Sequence, residues 1–162
     1  DGFAFAAETL VGQAVGARAL GQARQAARMS MGWGIAGGVV LATVFALAGP
    51  WIIDLMTTAP DVRLEARQFL IWVVAAPVIG VFAWIYDGIF IGATLTAQMR
   101  RTMMLSACVY AVALAVLVPV FGNHGLWAAL MVFFAARGVT MWRAYPALAT
   151  RIASAPQQAE RL

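Results

Sequence analysis

The chain has 162 residues, of which 63% are hydrophobic and only 11% are charged, with a mean hydropathy of +0.83. Soluble domains carry about a quarter charged residues, so this chain has too few to cover a water-facing surface, and lipid is the expected solvent. The net charge of +4 comes from arginines placed mostly between apolar runs, which is typical of a membrane protein and argues against nucleic-acid binding.

Five apolar segments approach or exceed the roughly 20 residues that a helix needs to cross the hydrocarbon core. We therefore predict an all-α, polytopic membrane helix bundle of about five transmembrane helices in residues 1–150, followed by a cytoplasmic tail in residues 151–162. The predicted spans, in chain order, are residues 1–17, 32–56, 69–93, 103–121 and 125–148. Because the first segment begins in apolar sequence and without Met, we expect a piece of a longer protein.

The arginines divide unevenly between the two sides that this order of spans defines. Eight lie after the first, third and fifth spans, or at the end of the fifth, whereas only Arg63 and Arg67 lie on the opposite side. In membrane proteins the cytoplasmic connections carry the excess of basic residues. We therefore predict that the Arg-rich side and the C-terminus are cytoplasmic.

Asp87, in the third span, is the ionisable residue with the strongest claim to function. A charge at the centre of a transmembrane helix costs about 2.5–3.5 kcal/mol, so such a group usually faces a cavity or a partner. Arg100 follows Asp87 by thirteen residues, or about 20 Å of helix, which predicts a position near the middle of the bilayer. On a continuous helix Thr94 and Gln98 would share its face. Asp87 could bind an ion or a substrate, or could make a structural hydrogen bond to a neighbouring helix.

Three further ionisable residues fall inside apolar sequence. Glu8 precedes Arg18 by ten residues, or about 15 Å of helix, so it is also expected at membrane depth, and Asp1 would lie on the same helical face. Glu8 could line a cavity or form a salt bridge with Arg137. Arg137 could itself pair with a buried carboxylate or extend towards the cytoplasmic side, and a structural role in charge pairing is favoured.

The sequence contains no arrangement suited to enzymatic chemistry. The single cysteine, Cys108, lies in an apolar run, and no Cys and His cluster has the spacing of a metal site. No serine has a His at useful spacing. We expect no catalysis and no cofactor, and no metal beyond a possible Na⁺ at Asp87. His124 lies in a short turn, where a turn or cap role is favoured over pH sensing.

Three stretches resemble signatures of the multidrug and toxic compound extrusion (MATE) transporters. They are DGFAFAAETLVGQAVGAR from Asp1, YDGIFIGATLTAQMR from Tyr86, and GNHGLWAAL from Gly122 followed by AARG. Their order and spacing are similar to those of the DNA-damage-inducible F branch, and the resemblance covers essentially the whole chain. One departure is Leu95, which stands where this branch usually has Arg.

The resemblance implies a place in a larger molecule. Members have twelve helices in two six-helix lobes, and this chain is similar to helices eight to twelve, so the N-terminal lobe of the same polypeptide is an expected partner. The family exports amphipathic, often cationic, small molecules by antiport with H⁺ or Na⁺, and a bacterial inner membrane is the expected location. Asp87 corresponds to a tenth-helix aspartate that contributes to a cation site. Tyr86, its neighbour, and Thr94 are further candidates for binding an ion or a substrate.

The sequence therefore predicts part of a secondary active multidrug exporter that works by alternating access. Two alternatives stay open. One is a flippase for lipid-linked precursors, which would have a larger and more cationic cavity. The other is a membrane assembly segment that does not transport, in which the buried carboxylates would be paired and dispensable.

Overall fold

A computed structural model describes residues 2–153, and in that range every regular element is a helix. Four long helices and two shorter ones follow one another with connections of one to three residues. They are α1 (Gly2–Gly16), α2 (Leu20–Met56), α3 (Pro60–Gly92), α4 (Thr96–Phe121), α5 (Asn123–Ala144) and α6 (Ala147–Ala153). The all-α prediction is confirmed. Asp1 and most of the predicted tail 151–162 lie outside the described residues, whereas residues 151–153 belong to α6.

Four helices, α2 to α5, are long and apolar enough to cross a membrane. α1, which corresponds to the predicted span 1–17, has 15 residues and is shorter than the roughly 20 that a crossing requires. The described part of the chain thus holds four candidate spans, where the sequence predicts about five. Only 6% of the most apolar stretch of α4 is buried, so most of its apolar surface is available to lipid or to other protein.

α2 begins at Leu20, twelve residues before the predicted span at 32–56. The difference has a local cause, because residues 20–31 form an amphipathic part of the helix and not an apolar one. Ala23, Ala27 and Ser30 are buried at spacings of three and four residues, while Arg24 and Arg28 are exposed. The hydrophobicity of a span therefore marks its apolar part and not the start of the helix.

α3 is the central helix of the bundle and packs against α1, α2 and α5, whereas α4 packs mainly against α5. The contact with α1 is made by glycines. A Cβ atom at Gly88 would overlap the carbonyl oxygen of Ala4, and one at Gly92 would overlap that of Glu8. Glycine at these two positions lets the two backbones approach more closely than any other residue allows.

α2 and α3 meet in a similar way. A Cβ atom at Gly38 would lie 2.8 Å from the carbonyl oxygen of Pro77, and one at Gly34 would lie 2.8 Å from the Ile85 side chain. The pairs Gly34 and Gly38, and Gly88 and Gly92, thus have Gly-x-x-x-Gly spacing and serve close helix packing. Gly16 is an exception, because a Cβ atom there would meet nothing within 4 Å.

The turns after α1 and α3 share one backbone conformation. Arg18 and Thr94 both have φ near +56°, and the residue after each donates a hydrogen bond to the carbonyl five residues earlier. This arrangement ends a helix by satisfying its last carbonyl groups, and it favours glycine because other residues are strained there. α3 therefore ends at Gly92, and the chain reverses into α4.

Candidate ion- or substrate-binding site

Asp87 of α3 and Arg137 of α5 form an ion pair between the two helices. The Arg137 Nη2 atom donates to Asp87 Oδ1 over 2.6 Å. The Arg137 side chain is 11% exposed and the Asp87 side chain 23% exposed, so the pair is largely enclosed by protein. Removing one partner of such a pair would leave a charge without compensation in a medium that solvates it poorly. The pair therefore couples the position of α3 to that of α5.

The other end of the Arg137 guanidinium connects the pair to α4. Arg137 Nη1 contacts Met103 Sδ. Close by in sequence, Thr140 donates to the carbonyl oxygen of Arg137 and lies 3.3 Å from the fully buried Ser106 hydroxyl of α4. Sequence reasoning gave Ser106 and Thr140 no role. A sequence pattern could have indicated this contact, because residues three apart share one helix face. Thr140 follows Arg137 by three residues on α5, and Ser106 follows Met103 by three on α4.

The structure corrects the expected depth of Asp87. The estimate of about 20 Å assumed an unbroken helix up to Arg100, but α3 ends at Gly92. Asp87 thus lies five residues, or about 7.5 Å of helix, before the end of α3. The pair is closer to the Arg-rich end of the bundle than to its middle.

The same turn separates Thr94 from Asp87. Thr94 is not on the face of α3 that carries Asp87, and Gln98 belongs to α4, so the polar stripe predicted from helical spacing is wrong. The Thr94 hydroxyl instead accepts hydrogen bonds from Nε and Nη2 of Arg151, at 3.1 and 3.0 Å, which ties the α3–α4 turn to α6.

Glu8 lies apart from the ion pair. It is half-buried on α1, and among residues 2–153 it forms no ion pair, so the alternative of a Glu8–Arg137 salt bridge is not the arrangement that the structure adopts. Its backbone carbonyl lies against Gly92 of α3. The structure thus brings two of the predicted charged residues together, Asp87 and Arg137, and leaves Glu8 apart from them on α1.

An open apolar groove of about 610 Å³ lies between α2, α3 and α5, and its lining includes neither Asp87 nor Arg137. Tyr86 and Gly138, the sequence neighbours of Asp87 and Arg137, both line it. Its wall is mainly aromatic and aliphatic, with Met31, Phe82, Phe134 and Trp142 among its residues. A groove of this size and lining suits the apolar body of a small organic molecule.

The aromatic rings near the pair pack on one another. The rings of Trp84 and Phe134 meet edge to face with centroids 5.6 Å apart, joining α3 to α5. The Tyr86 ring lies 6.0 Å from that of Tyr145, just after α5. Burial raises the pKa of the Tyr145 phenol, and the nearby charges of Arg24 and Arg28 act in the opposite direction. Tyr86 and Tyr145 therefore connect the groove to the Arg-rich end.

The opposite end of the bundle holds two polar contacts that do not involve the pair. The Trp72 indole N–H donates to Nδ1 of His124 over 3.0 Å, so His124 connects the start of α5 to α3. Asp54, which sequence reasoning passed over, accepts two hydrogen bonds from Arg67 at 2.7 and 2.8 Å. Arg63 also lies within 3.6 Å of it. The presence of Arg63 and Arg67 just beyond the α2–α3 turn was a signal that Asp54 would have partners.

In residues 2–153, no group of three or more His, Cys, Asp and Glu side chains is arranged to hold a metal ion. Cys108 is exposed on α4. The chemistry available at the site is therefore ionic and apolar: one carboxylate, one guanidinium and an aromatic groove.

These features define a multi-pass, all-helical membrane protein with an enclosed ion pair between two helices and an apolar groove between the same helices. The chain belongs to the MatE family, whose sequence profile matches residues 2–119. This match confirms the membership inferred from the three motifs. Members of the family are transporters rather than enzymes, in agreement with the expectation that the chain is not an enzyme.

Two relatives match most of the chain. DNA damage-inducible protein F of Escherichia coli K12 is 43% identical over 150 residues, which cover 88% of this chain and 32% of that protein. Protein DETOXIFICATION 44, chloroplastic, of Arabidopsis thaliana is 27% identical over 144 residues, which cover 88% of this chain and 28% of that protein. The chain spans about a third of the length of these curated relatives. No solved structure matches it significantly.

Proposed function

We propose that the intact protein is a secondary active multidrug exporter, which moves amphipathic or cationic compounds by antiport with H⁺ or Na⁺ in an alternating-access cycle. The observation that carries the proposal is the Asp87–Arg137 pair, whose sequence neighbours Tyr86 and Gly138 line an apolar, aromatic groove. Membership in the MatE family and 43% identity to DNA damage-inducible protein F support it. The name of the plant relative, DETOXIFICATION 44, agrees with an export role.

In this proposal the groove and the carboxylate bind different parts of a substrate. Tyr86, Phe82 and Trp142 offer apolar and aromatic surface to the body of a substrate, and aromatic faces also attract cations. Asp87 supplies a negative charge for a coupling ion or for the positive group of a substrate. Glu8 is the second candidate for this role. A substrate that bound the inward and outward states with different affinity would shift the balance between them.

The charge distribution supports an orientation for the described helices. Seven arginines lie at the end of the bundle that carries the α1–α2 turn, the α3–α4 turn and α6, whereas Arg63 and Arg67 lie at the other end. The excess of basic residues faces the cytoplasm in membrane proteins. The end of the bundle that carries the ion pair then faces the cytoplasm of a bacterial inner membrane, and the C-terminus is inside. The N-terminal lobe of the same polypeptide completes the cavity.

Export by the intact transporter with Asp87→Asn tests the proposal. Asn has nearly the same shape but no charge, so we expect drug efflux from cells or proteoliposomes to fall at least about tenfold, which corresponds to about 1.4 kcal/mol. Asp54→Asn is the matched control, because Asp54 also pairs with arginine but lies at the other end and is more exposed. Equal efflux from the wild type and Asp87→Asn would reject the proposed role of Asp87.

A further inference from the structure

Arg137 occupies the position that a bound cation would take at Asp87. It reaches the carboxylate from α5, fifty residues away in sequence, and contacts one of the two carboxylate oxygens over 2.6 Å. Its side chain is the more deeply buried of the two. Since Met103 contacts the other end of the guanidinium, α4 also holds Arg137 in place. The arginine is therefore built into the site by three helices.

A guanidinium keeps its charge under all physiological conditions, so Arg137 cannot leave the carboxylate by losing a proton. A second monovalent cation at the same carboxylate would meet the fixed positive charge of Arg137 at short range in a medium of low dielectric constant, where repulsion is strong. It would also have to shed water and find further oxygen ligands. The Met103 thioether, which contacts the guanidinium, is not an oxygen ligand.

We infer that Arg137 is a built-in counter-ion that keeps Na⁺ out of the Asp87 site. The inference extends the proposed function, in which Asp87 binds an ion or a substrate, by naming the residue that sets its ion specificity. Replacing Arg137 with a neutral residue leaves an enclosed carboxylate without a partner, and a small diffusible cation then becomes its best available substitute. Arg137 is a specificity-determining residue: its charge excludes Na⁺, and loss of that charge admits it.

Direct binding of ²²Na⁺ to the purified intact transporter tests this inference. The relevant signal is the part of the binding that Asp87→Asn abolishes, because other lobes could hold sites of their own. We expect no such part in the wild type. We expect Arg137→Gln to bind ²²Na⁺ in a way that depends on Asp87, with an affinity at least about tenfold higher than that of the wild type. Arg137→Lys keeps a positive charge and gains none, and the double variant Asp87→Asn with Arg137→Gln also gains none.

Two results would overturn the inference. One is Na⁺ binding in the wild type that depends on Asp87, since Arg137 would then not exclude the ion. The other is an Arg137→Gln protein that elutes as a single folded species and binds no Na⁺. If Arg137→Gln does not fold, Arg137→Met, which keeps the aliphatic stem, takes its place, and the wild-type measurement remains decisive by itself.

The outcomes separate this inference from the proposed function. Normal efflux by Asp87→Asn rejects the proposed role of Asp87 in transport but leaves the Na⁺ measurements meaningful. Conversely, Asp87-dependent Na⁺ binding in the wild type rejects the role of Arg137 and leaves Asp87 as a transport residue.

Discussion

Two faces of α3 are packed in opposite ways. On the face towards α1, Gly88 and Gly92 let the two backbones touch, and further along the helices a groove of about 510 Å³ lies between α1, α2 and α3. On the face towards α5, the contact is made by the Asp87–Arg137 pair and the Trp84–Phe134 rings, beside a groove of about 610 Å³. The comparison indicates that the contact between α1 and α3 depends on backbone packing, whereas the contact between α3 and α5 depends on side chains and on charge.

The largest loss of stability is expected at the contact between α1 and α3, where the backbones leave no room for a side chain. Gly88→Ala adds one Cβ atom that overlaps the Ala4 carbonyl oxygen, and backbone atoms cannot move aside as a side chain can. We expect a loss of about 2–3 kcal/mol of stability, measured by thermal unfolding of the purified protein. Gly16→Ala is the matched control on α1, where the added atom meets nothing, and a gain of up to about 1 kcal/mol is expected from helix propensity. Equal stability of the two variants would refute the rigid α1–α3 contact.

The next effect concerns the charged contact on the other face. Arg137→Gln removes the partner of Asp87, and we expect a loss of about 1–3 kcal/mol, because an enclosed carboxylate without a partner is unfavourable. Asp87→Asn combined with Arg137→Gln should cost less than the sum of the single changes. A double-mutant cycle in thermal or denaturant unfolding measures this coupling. Strict additivity would show that the pair contributes nothing to the α3–α5 contact.

The contrast between the two faces also shows what the sequence could predict. The helical class follows from hydropathy, and the enclosed position of Asp87 follows from the cost of a charge in lipid. The partner of Asp87 could not be predicted, because Arg137 lies fifty residues away and helical periodicity carries no information on tertiary contacts. Glu8 was an equally good partner for Arg137 on sequence grounds.

The predicted third span, residues 69–93, ends within one residue of α3, but the arguments on the depth of Asp87 and on the face of Thr94 wrongly assumed a helix that continues to Arg100. Thr94 is an unusual residue at positive φ, so the sequence lacks the glycine that normally marks such a turn. A signal was nevertheless present. The pattern Gly-x-x-x-Gly-Ala occurs at Gly12–Ala17 and again at Gly88–Ala93, and both copies end in the same turn. The first copy precedes a charged connection between helices, and the same interpretation of the second copy would have predicted that the helix does not continue to Arg100.

A smaller effect is expected from narrowing the groove without touching the pair. Ala135 lines the groove on α5 and is exposed, so Ala135→Phe adds a ring to open space and should leave stability within about 0.5 kcal/mol. If substrates bind there, efflux of bulky compounds should fall a few fold while small ones are exported as before. Efflux assays with a size series of cationic dyes check this. Unchanged export of the largest dye would place the substrate elsewhere.

The smallest effect is expected from an ion pair of the same chemistry in a different environment. Asp54→Asn removes the contacts to Arg67 and Arg63, but the Asp54 side chain is 37% exposed, compared with 23% for Asp87. Exposed pairs are screened by salt and contribute about 0.2–1 kcal/mol. We expect a loss in this range that shrinks as the salt concentration rises, whereas the effect of Arg137→Gln should respond little to salt because protein and lipid enclose that pair. Thermal unfolding of both variants at low and high salt measures the difference. A similar salt dependence for the two pairs would mean that water reaches Asp87 as freely as Asp54, and the α3–α5 contact would then lack the low-dielectric surroundings on which its proposed role depends.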